Sequence, residues 1–341
     1  MKFTLFHVYT LLSVSLLGCR AVTPEVYWTS LLPNSPMPKS VKDILVSTAE
    51  WTEEKFAMVG VGAGGVEVGA GTPGEQTEVG VGRGGVAVHT THRGKPVCVG
   101  VHPGPDPFNY LYAASADQLK DDPNVALFFL ENDLHQGGEM KLHFTKVDPS
   151  QKTTFLPRNI ADSIPFSSNK LPQIYNKFSI KPESPEAEIM KQTLSECEKK
   201  GIEGEEKYCA TSLESMVDFS TTKLGKKVKA ISTEVNAKES RPLQKYKIEG
   251  AKKLVADKAV VCHKKNYAYA VFYCHKTVST RAYVVSLVGV DGTEAKAVAV
   301  CHTDTSKWNP KHVAFQVLKV KPGSVPICHF LPEDHVVWVP Y

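Results

Sequence analysis

The spacing of hydrophobic and polar positions predicts helices in the middle of the chain. Ser184 can cap a helix and Pro185 favours a first helical position, so a helix is predicted over residues 185–200. A second helix is predicted over residues 212–224, where apolar residues recur at helical spacing and a glycine follows.

Beyond residue 240 the pattern predicts β-strands. Short runs rich in Val, Phe and Tyr occupy residues 268–273, 283–290, 295–300, 313–320 and 325–327. Asp291 and Gly292 form a two-residue hairpin signal between the second and third of these runs. Helices followed by strands predict an α+β domain with a largely antiparallel sheet.

The segment before this domain is a repeat of valine and glycine. Val59-Gly-Val-Gly-Ala-Gly-Gly-Val-Glu-Val68 recurs with small changes as residues 79–88, and a decayed copy begins at Val99, so the period is 20 residues. Between residues 59 and 104 lie 14 of the 24 glycines and no Phe, Trp or Tyr. The alternation suits a strand, but glycine weakens strands and nothing large can be buried. We therefore predict a flexible linker or binding tail over residues 59–105.

The first residues predict export. A basic start, an apolar stretch over residues 11–17 and the small-x-small end Cys19-Arg20-Ala21 are typical of a secretory signal peptide, residues 1–21. A head segment, residues 22–58, follows with Tyr27, Trp28 and several prolines. Secretion places the cysteines in an oxidising compartment.

Charge and composition exclude several classes of protein. The formal net charge is +4 without a run of basic residues, so a nucleic-acid partner is not expected. Past the N-terminus no apolar run approaches the ~20 residues of a membrane span. Hydrophobic residues at 42% and charged residues at 22% are typical of a globular protein.

Cysteine and histidine occur as adjacent pairs four times, each at the end of an apolar run. The pairs are Cys262-His263, Cys274-His275, Cys301-His302 and Cys328-His329. Successive side chains of a strand point to opposite faces, so each pair sends its sulfur one way and its imidazole the other. We predict that the sulfurs form two disulfides, with three connectivities open, and that the imidazoles converge on an ion such as Cu(II) or Zn(II).

Alternatives to this metal site remain. The disulfides could be purely structural with the histidines merely adjacent, or mixed Cys/His zinc sites could form if the thiols stayed reduced. A turn near Asn266 would leave residues 262 and 274 unequally far from it, so convergence of His263 and His275 is expected from the wider sheet and not from one hairpin.

The other cysteines and histidines have no comparable spacing. Cys197 and Cys209 are predicted to form a disulfide that closes a small loop, which leaves Cys98 unpaired. The remaining histidines of the later chain are expected on the surface or in turns. They include His135, His143, His312 and His335.

The pattern Cys-His-x10-Cys-His-x25-Cys-His-x25-Cys-His resembles the plant BURP-domain family. The opening Leu127-Phe-Phe-Leu-Glu-Asn-Asp-Leu134 and the ending Cys328-His-Phe-Leu-Pro-Glu-Asp-His-Val-Val-Trp338 share the likeness, which covers residues 126–341. The head, with Thr23-Pro-Glu-Val-Tyr-Trp28, and the Val-Gly repeats resemble the dehydration-responsive subgroup.

The resemblance implies a secreted protein of the cell wall or apoplast, induced by water deficit or abscisic acid. Partners would be cell-wall components or other secreted proteins. Some members are copper-dependent peptide cyclases that crosslink a Tyr or Trp side chain in a core peptide. The family's histidines correspond here to His263, His275, His302 and His329, so copper is the implied cofactor.

The repeated units contain no aromatic residue, so they offer no phenol or indole for self-cyclisation. We therefore expect a copper-binding, stress-associated wall protein. The alternative function is a copper-dependent cyclase that acts on Tyr or Trp of a peptide substrate.

Overall fold

A computed structural model describes residues 23–45, 128–144 and 153–341, with gaps at 202, 238, 240, 255–257, 278–279 and 311. It also describes the backbone of five strands between residues 56 and 99. The predicted signal peptide lies outside the described residues. No helix in the described ranges has the length and apolar character needed to cross a membrane.

The repeat segment forms a five-stranded antiparallel sheet, the repeat sheet. Its strands are β1 Phe56–Gly62, β2 Gly65–Thr72, β3 Glu75–Gly82, β4 Gly85–His92 and β5 Lys95–Val99, paired in chain order. The structure differs here from the predicted flexible linker. The register sets Val68 opposite both Val59 and Val79, because one 20-residue period is two strands with their turns.

The helices of the described residues include both that the sequence predicts. They are α1 Pro24–Leu31, α2 Lys39–Lys42, α3 Arg158–Ser163, α4 Leu171–Lys177, α5 Pro185–Glu198, α6 Leu213–Leu224 and α7 Val313–Leu318. Ser184 Oγ accepts from the Ala187 amide at 3.1 Å, and Ser212 caps α6 in the same way. Gly225 ends α6 with φ of 85°, a conformation that only glycine adopts without strain.

Two further antiparallel sheets build the α+β domain, which confirms the predicted fold class. Sheet A contains β6 Phe129–Leu130, β7 Glu139–Leu142, β10 Glu234–Val235, β11 Gln244–Lys253, β14 Thr280–Gly289, β15 Glu294–His302 and β16 Ile327–Phe330, in the order β6-β16-β15-β14-β11-β7 with β10 beside β15. Sheet B contains β8 Glu206–Ala210, β9 Val228–Ile231, β12 Val260–Lys265, β13 Val271–Lys276 and β17 Val336–Pro340, in the order β8-β13-β12-β17-β9.

The strands β13, β14, β15 and β16 occupy the predicted runs with shifted ends, and Asp291-Gly292 turns between β14 and β15 as expected. The strand predicted over 313–320 is wrong, because that segment forms α7. The His312 side chain caps this helix: its Nδ1 accepts from the Ala314 amide at 3.2 Å. A cap supplied by the preceding residue thus outweighs the strand preference of valine and phenylalanine.

Alternate residues of the strands that carry the Cys-His pairs belong to different buried hydrophobic clusters. Val261 of sheet B and Val300 of sheet A belong to one buried cluster between the two sheets. Cys262 instead packs with α6 and Trp338, and Cys301 packs in a third cluster on sheet A. The sulfurs therefore point away from the space between the sheets, as strand alternation predicts.

The head segment is part of the domain core in its described residues. Trp28 of α1 is 3% exposed, and its ring centroid lies 5.2 Å from that of Trp338 on β17. Its Nε1 donates to the Ser35 carbonyl at 2.8 Å. Val41 and Ile44 are buried in the same cluster, so residues 23–45 help to close the core over α6.

Candidate histidine site

Three disulfides fix the strands that carry the site. Cys262 pairs with Cys274 across β12 and β13, and Cys301 pairs with Cys328 across β15 and β16. This selects one of the three connectivities that the sequence left open. Because all four sulfurs are in disulfides, they are not thiolate ligands for a mixed Cys/His zinc site.

The predicted Cys197–Cys209 disulfide is also present and ties α5 to β8. The side chain of Cys98 lies outside those that the structure describes, so the prediction that it is unpaired stays a prediction.

His263 and His275 meet across one hairpin. Their Nε2 atoms lie 3.3 Å apart. The expectation that a single hairpin would not bring them together was wrong, because the turn is centred on Ala268 and not on Asn266. That centre places Cys262 directly opposite Cys274 and turns both imidazoles to the same face.

The four imidazoles of the Cys-His pairs form one cluster, two from each sheet. The members of this histidine cluster are His263, His275, His302 and His329. Ring centroids are 5.3 Å apart for His263–His275, 6.2 Å for His275–His302, 5.7 Å for His302–His329 and 6.2 Å for His263–His329. Neighbouring ring planes differ by 19° to 27°, so the rings stack. The structure thus brings all four predicted residues together.

A fifth imidazole joins the cluster at its edge. His335, expected at the surface or in a turn, is 7% exposed, and its Nδ1 lies 3.0 Å from His263 Nδ1. Val336 pairs with Cys262, so the residue before β17 falls beside His263. The sequence feature that could have indicated a buried position for His335 was its place immediately before an apolar run.

His312, expected on the surface or in a turn, is buried and closes a turn, because its amide donates to the Asn309 carbonyl at 2.8 Å. Its ring lies 4.7 Å from that of Trp308, which in turn lies 5.1 Å from that of His302. Since its Nδ1 accepts from the Ala314 amide, its proton lies on Nε2. The His312 ring therefore caps α7 through Nδ1. Its protonated Nε2 has no lone pair with which to bind a metal ion. His135 is exposed as expected, and His143 is partly exposed.

Burial favours the neutral form of four imidazoles at this site, including that of His263, which is partly exposed. It lowers the pKa of His263 and of His302 well below the ordinary value of 6.5, and the neighbouring histidines add to the effect. Burial also lowers the pKa of His329 and of His335 to about 4. Neutral imidazole is the form that binds metal ions, so protons compete little for these rings at neutral pH.

Hydrogen bonds fix the orientation of two of the rings. His275 Nδ1 lies 3.2 Å from Glu205 Oε1, and His329 Nδ1 lies 3.2 Å from the Phe330 carbonyl oxygen. Both partners are acceptors, so each Nδ1 carries a proton, and in the neutral form of the ring Nε2 then carries a lone pair.

The donor set suits a borderline metal ion, although the stacked rings do not yet enclose one. No three His, Cys, Asp or Glu side chains converge on a common point within the described ranges. The Nε2 atoms of His263 and His275, 3.3 Å apart, match the ~3.3 Å between two nitrogens that are each about 2.0 Å from one tetrahedral ion. Two of the four imidazoles are therefore already spaced to bind one ion.

Comparison with known proteins agrees with the four-pair pattern. The family model of the BURP domain matches residues 127–340. The chain belongs to the BURP-domain family. It is 52% identical to "BURP domain protein RD22" of Arabidopsis thaliana over 94% of both chains, which agrees with the subgroup that the head and repeats predict.

Two rice relatives are also similar. "BURP domain-containing protein 3" of Oryza sativa subsp. japonica is 59% identical over 70% of this chain and 56% of its own length. "BURP domain-containing protein 5" of the same organism is 43% identical over 93% of this chain and 87% of its own length.

Proposed function

We propose that this BURP-domain protein is a secreted plant protein of the dehydration-responsive type that acts in the cell wall and binds copper through the histidine cluster. The observation that carries the proposal is the cluster itself. Four imidazoles from four strands of two sheets lie together, with pKa values that burial lowers for three of them. Imidazole is a strong ligand for Cu(II), which stands highest among divalent first-row metals in affinity.

The disulfides support both halves of this proposal. Three disulfides in the described part of the chain are typical of an oxidising compartment, in agreement with the sequence signal for export. Two of them clamp the strand pairs β12–β13 and β15–β16 immediately beside the imidazoles. Ligands held by such cross-links reach a metal with little loss of conformational freedom.

Different residues of the chain would bind the ion, orient the imidazoles and exclude water. The imidazoles would hold the ion through their Nε2 atoms, while Glu205 and the Phe330 carbonyl hold Nδ1 protons on the far side of two rings. The apolar residues between the sheets, such as Val261 and Val300, exclude water from beneath the cluster. Copper, when bound, supplies one-electron redox chemistry to this site.

A second candidate function is copper-dependent crosslinking of Tyr or Trp in a peptide supplied by another chain. The observation that favours it is the partial exposure of His263, whereas the other three members of the cluster are buried. A substrate side chain could therefore approach the cluster at this ring. Mass spectrometry tests it: a Tyr- or Trp-containing peptide incubated in air with copper-loaded protein would lose two hydrogens to dioxygen as the oxidant under the second function and stay unmodified under the first.

The ligand assignment predicts the effect of His302→Gln. This substitution keeps much of the side-chain volume but removes the imidazole, so copper bound per chain is expected to fall well below that of the wild type. His135→Gln, at an exposed histidine, should leave copper content unchanged. Metal analysis of both purified variants, with circular dichroism as a check of folding, measures this. Equal copper in a folded His302→Gln protein and in the wild type would contradict the assignment.

A further inference from the structure

We propose that Glu205 is a positioning residue for the metal site, because it fixes the proton of His275 on Nδ1 and so directs the Nε2 lone pair into the cluster. The inference rests on the proposed copper-binding function. Glu205 precedes β8, and its side chain is 3% exposed. Its Oε1 lies 3.2 Å from His275 Nδ1 and accepts from the Tyr273 hydroxyl at 3.3 Å.

A buried carboxylate needs such donors, since an ionised oxygen without hydrogen bonds is costly to bury. An ionised carboxylate only accepts hydrogen bonds, so the Nδ1 of His275 must donate. In the neutral ring the other nitrogen then has no proton. That nitrogen is the Nε2 that faces His263 Nε2 at 3.3 Å. Glu205 therefore decides which atom of His275 is presented to an ion between these two rings.

The same arrangement recurs at two other members of the cluster. The Nδ1 of His329 donates to the Phe330 carbonyl. The Nδ1 of His263 lies 3.0 Å from His335 Nδ1, which can accept from it. Two of the four rings thus have an acceptor behind Nδ1, a third faces a ring nitrogen that can accept, and the acceptor behind His275 is a carboxylate.

A cation held by the two Nε2 atoms would require proton positions within the cluster to change, without the loss of a proton. Without metal, His335 Nδ1–H can donate to His263 Nδ1 while His263 Nε2–H donates to His275 Nε2, which satisfies both contacts. To hold a cation, His263 would carry its proton on Nδ1 and donate it to His335 Nδ1, and His335 would carry its own proton on Nε2. His275 needs no such change, because Glu205 already holds its proton on the far nitrogen.

Glu205→Gln tests the inference, with Glu131→Gln as a matched control. The amide can donate as well as accept, so it no longer selects one tautomer of His275. Partners of this kind typically change metal affinity by 10- to 100-fold, so the dissociation constant for Cu(II) is expected to rise by about that factor. Glu131 directly follows β6 of sheet A and likewise accepts a hydrogen bond from a tyrosine, Tyr283, as well as one from Arg281, and its variant should bind Cu(II) like the wild type.

The tautomer of His275 is the second measurement, because it would not change if Glu205 had only a structural role. Long-range proton–nitrogen NMR spectra of the metal-free protein should show His275 protonated on Nδ1 in the wild type and in Glu131→Gln. A mixture of tautomers is expected in Glu205→Gln. Should that variant not fold, Glu205→Asp keeps the charge but shortens the side chain by one methylene, and it should weaken Cu(II) binding as well.

The possible results distinguish a failure of the role of Glu205 from a failure of the proposed copper binding. Wild-type protein that does not bind Cu(II) would overturn the proposed function, whatever the tautomer of His275. Wild-type protein that binds Cu(II), together with unchanged affinity and an unchanged His275 tautomer in Glu205→Gln, would overturn the role of Glu205 alone.

Discussion

Replacing Trp28 with alanine is expected to lower the free energy of unfolding of the domain by about 3–5 kcal/mol. Trp28 is 3% exposed and packs against Trp338, itself fully buried on β17 of sheet B. The substitution leaves a cavity between α1 and β17 and removes the donor to the Ser35 carbonyl. Urea denaturation of the full chain, followed by circular dichroism, measures the loss.

Val26→Ala is the matched control, because Val26 lies on the same helix and is 56% exposed. Its effect should stay within about 0.5 kcal/mol, as for most surface substitutions. If Trp28→Ala unfolded at the same urea concentration as Val26→Ala, the packing of the head segment against the domain would be refuted.

Acidification of the metal-free protein is expected to cost stability between pH 6.5 and pH 4. Burial lowers the pKa of His329 and of His335 from 6.5 to about 4, so in this window the unfolded chain binds protons that the folded chain does not. Stability therefore rises with pH across the window and falls as the solution is acidified. Each of the two histidines contributes a loss of about 2 kcal/mol at pH 5.

Urea denaturation at pH 7 and pH 5, in the presence of a chelator, tests this expectation. His335→Gln should show a smaller loss on acidification than the wild type, since one buried imidazole is gone. His135→Gln should lose as much as the wild type, because that ring is exposed. A free energy of unfolding that is equal at the two pH values, or higher at pH 5, would show that the imidazoles are not buried in neutral form.

Local signals predicted those elements that local chemistry determines. Ser184 and Ser212 cap the helices that follow them, and Asp291-Gly292 turns between two strands. Alternation along a strand was enough to separate the sulfur from the imidazole within each Cys-His pair, because it depends only on backbone geometry. These features need no information from distant parts of the chain.

The hairpin between β12 and β13 shows where local signals fail. Its turn is centred on Ala268 between Tyr267 and Tyr269, and both tyrosines are buried. Turns are ordinarily recognised by Gly, Asn, Asp or Pro, which pointed to Asn266 instead. Tertiary packing of the tyrosines with residues of α4 and α5 sets the centre, and with it the approach of His263 to His275.

His335 and Glu205 also depend on long-range order. His335 reaches the cluster only because β17 pairs with β12 in one particular register. Glu205 lies 70 residues before His275 and meets it because β8 pairs with β13. Neither pairing follows from the pattern of a single strand, so neither residue could be assigned to the site from the sequence.

The most direct test of the central claim is anomalous diffraction at the copper edge from crystals of the copper-loaded protein. The histidine cluster predicts a peak between sheets A and B, about 2 Å from the Nε2 atoms of His263 and His275. The peak should be absent from crystals of the His302→Gln variant or much weaker there. A copper peak at any other histidine of the chain, with none between the two sheets, would contradict the claim.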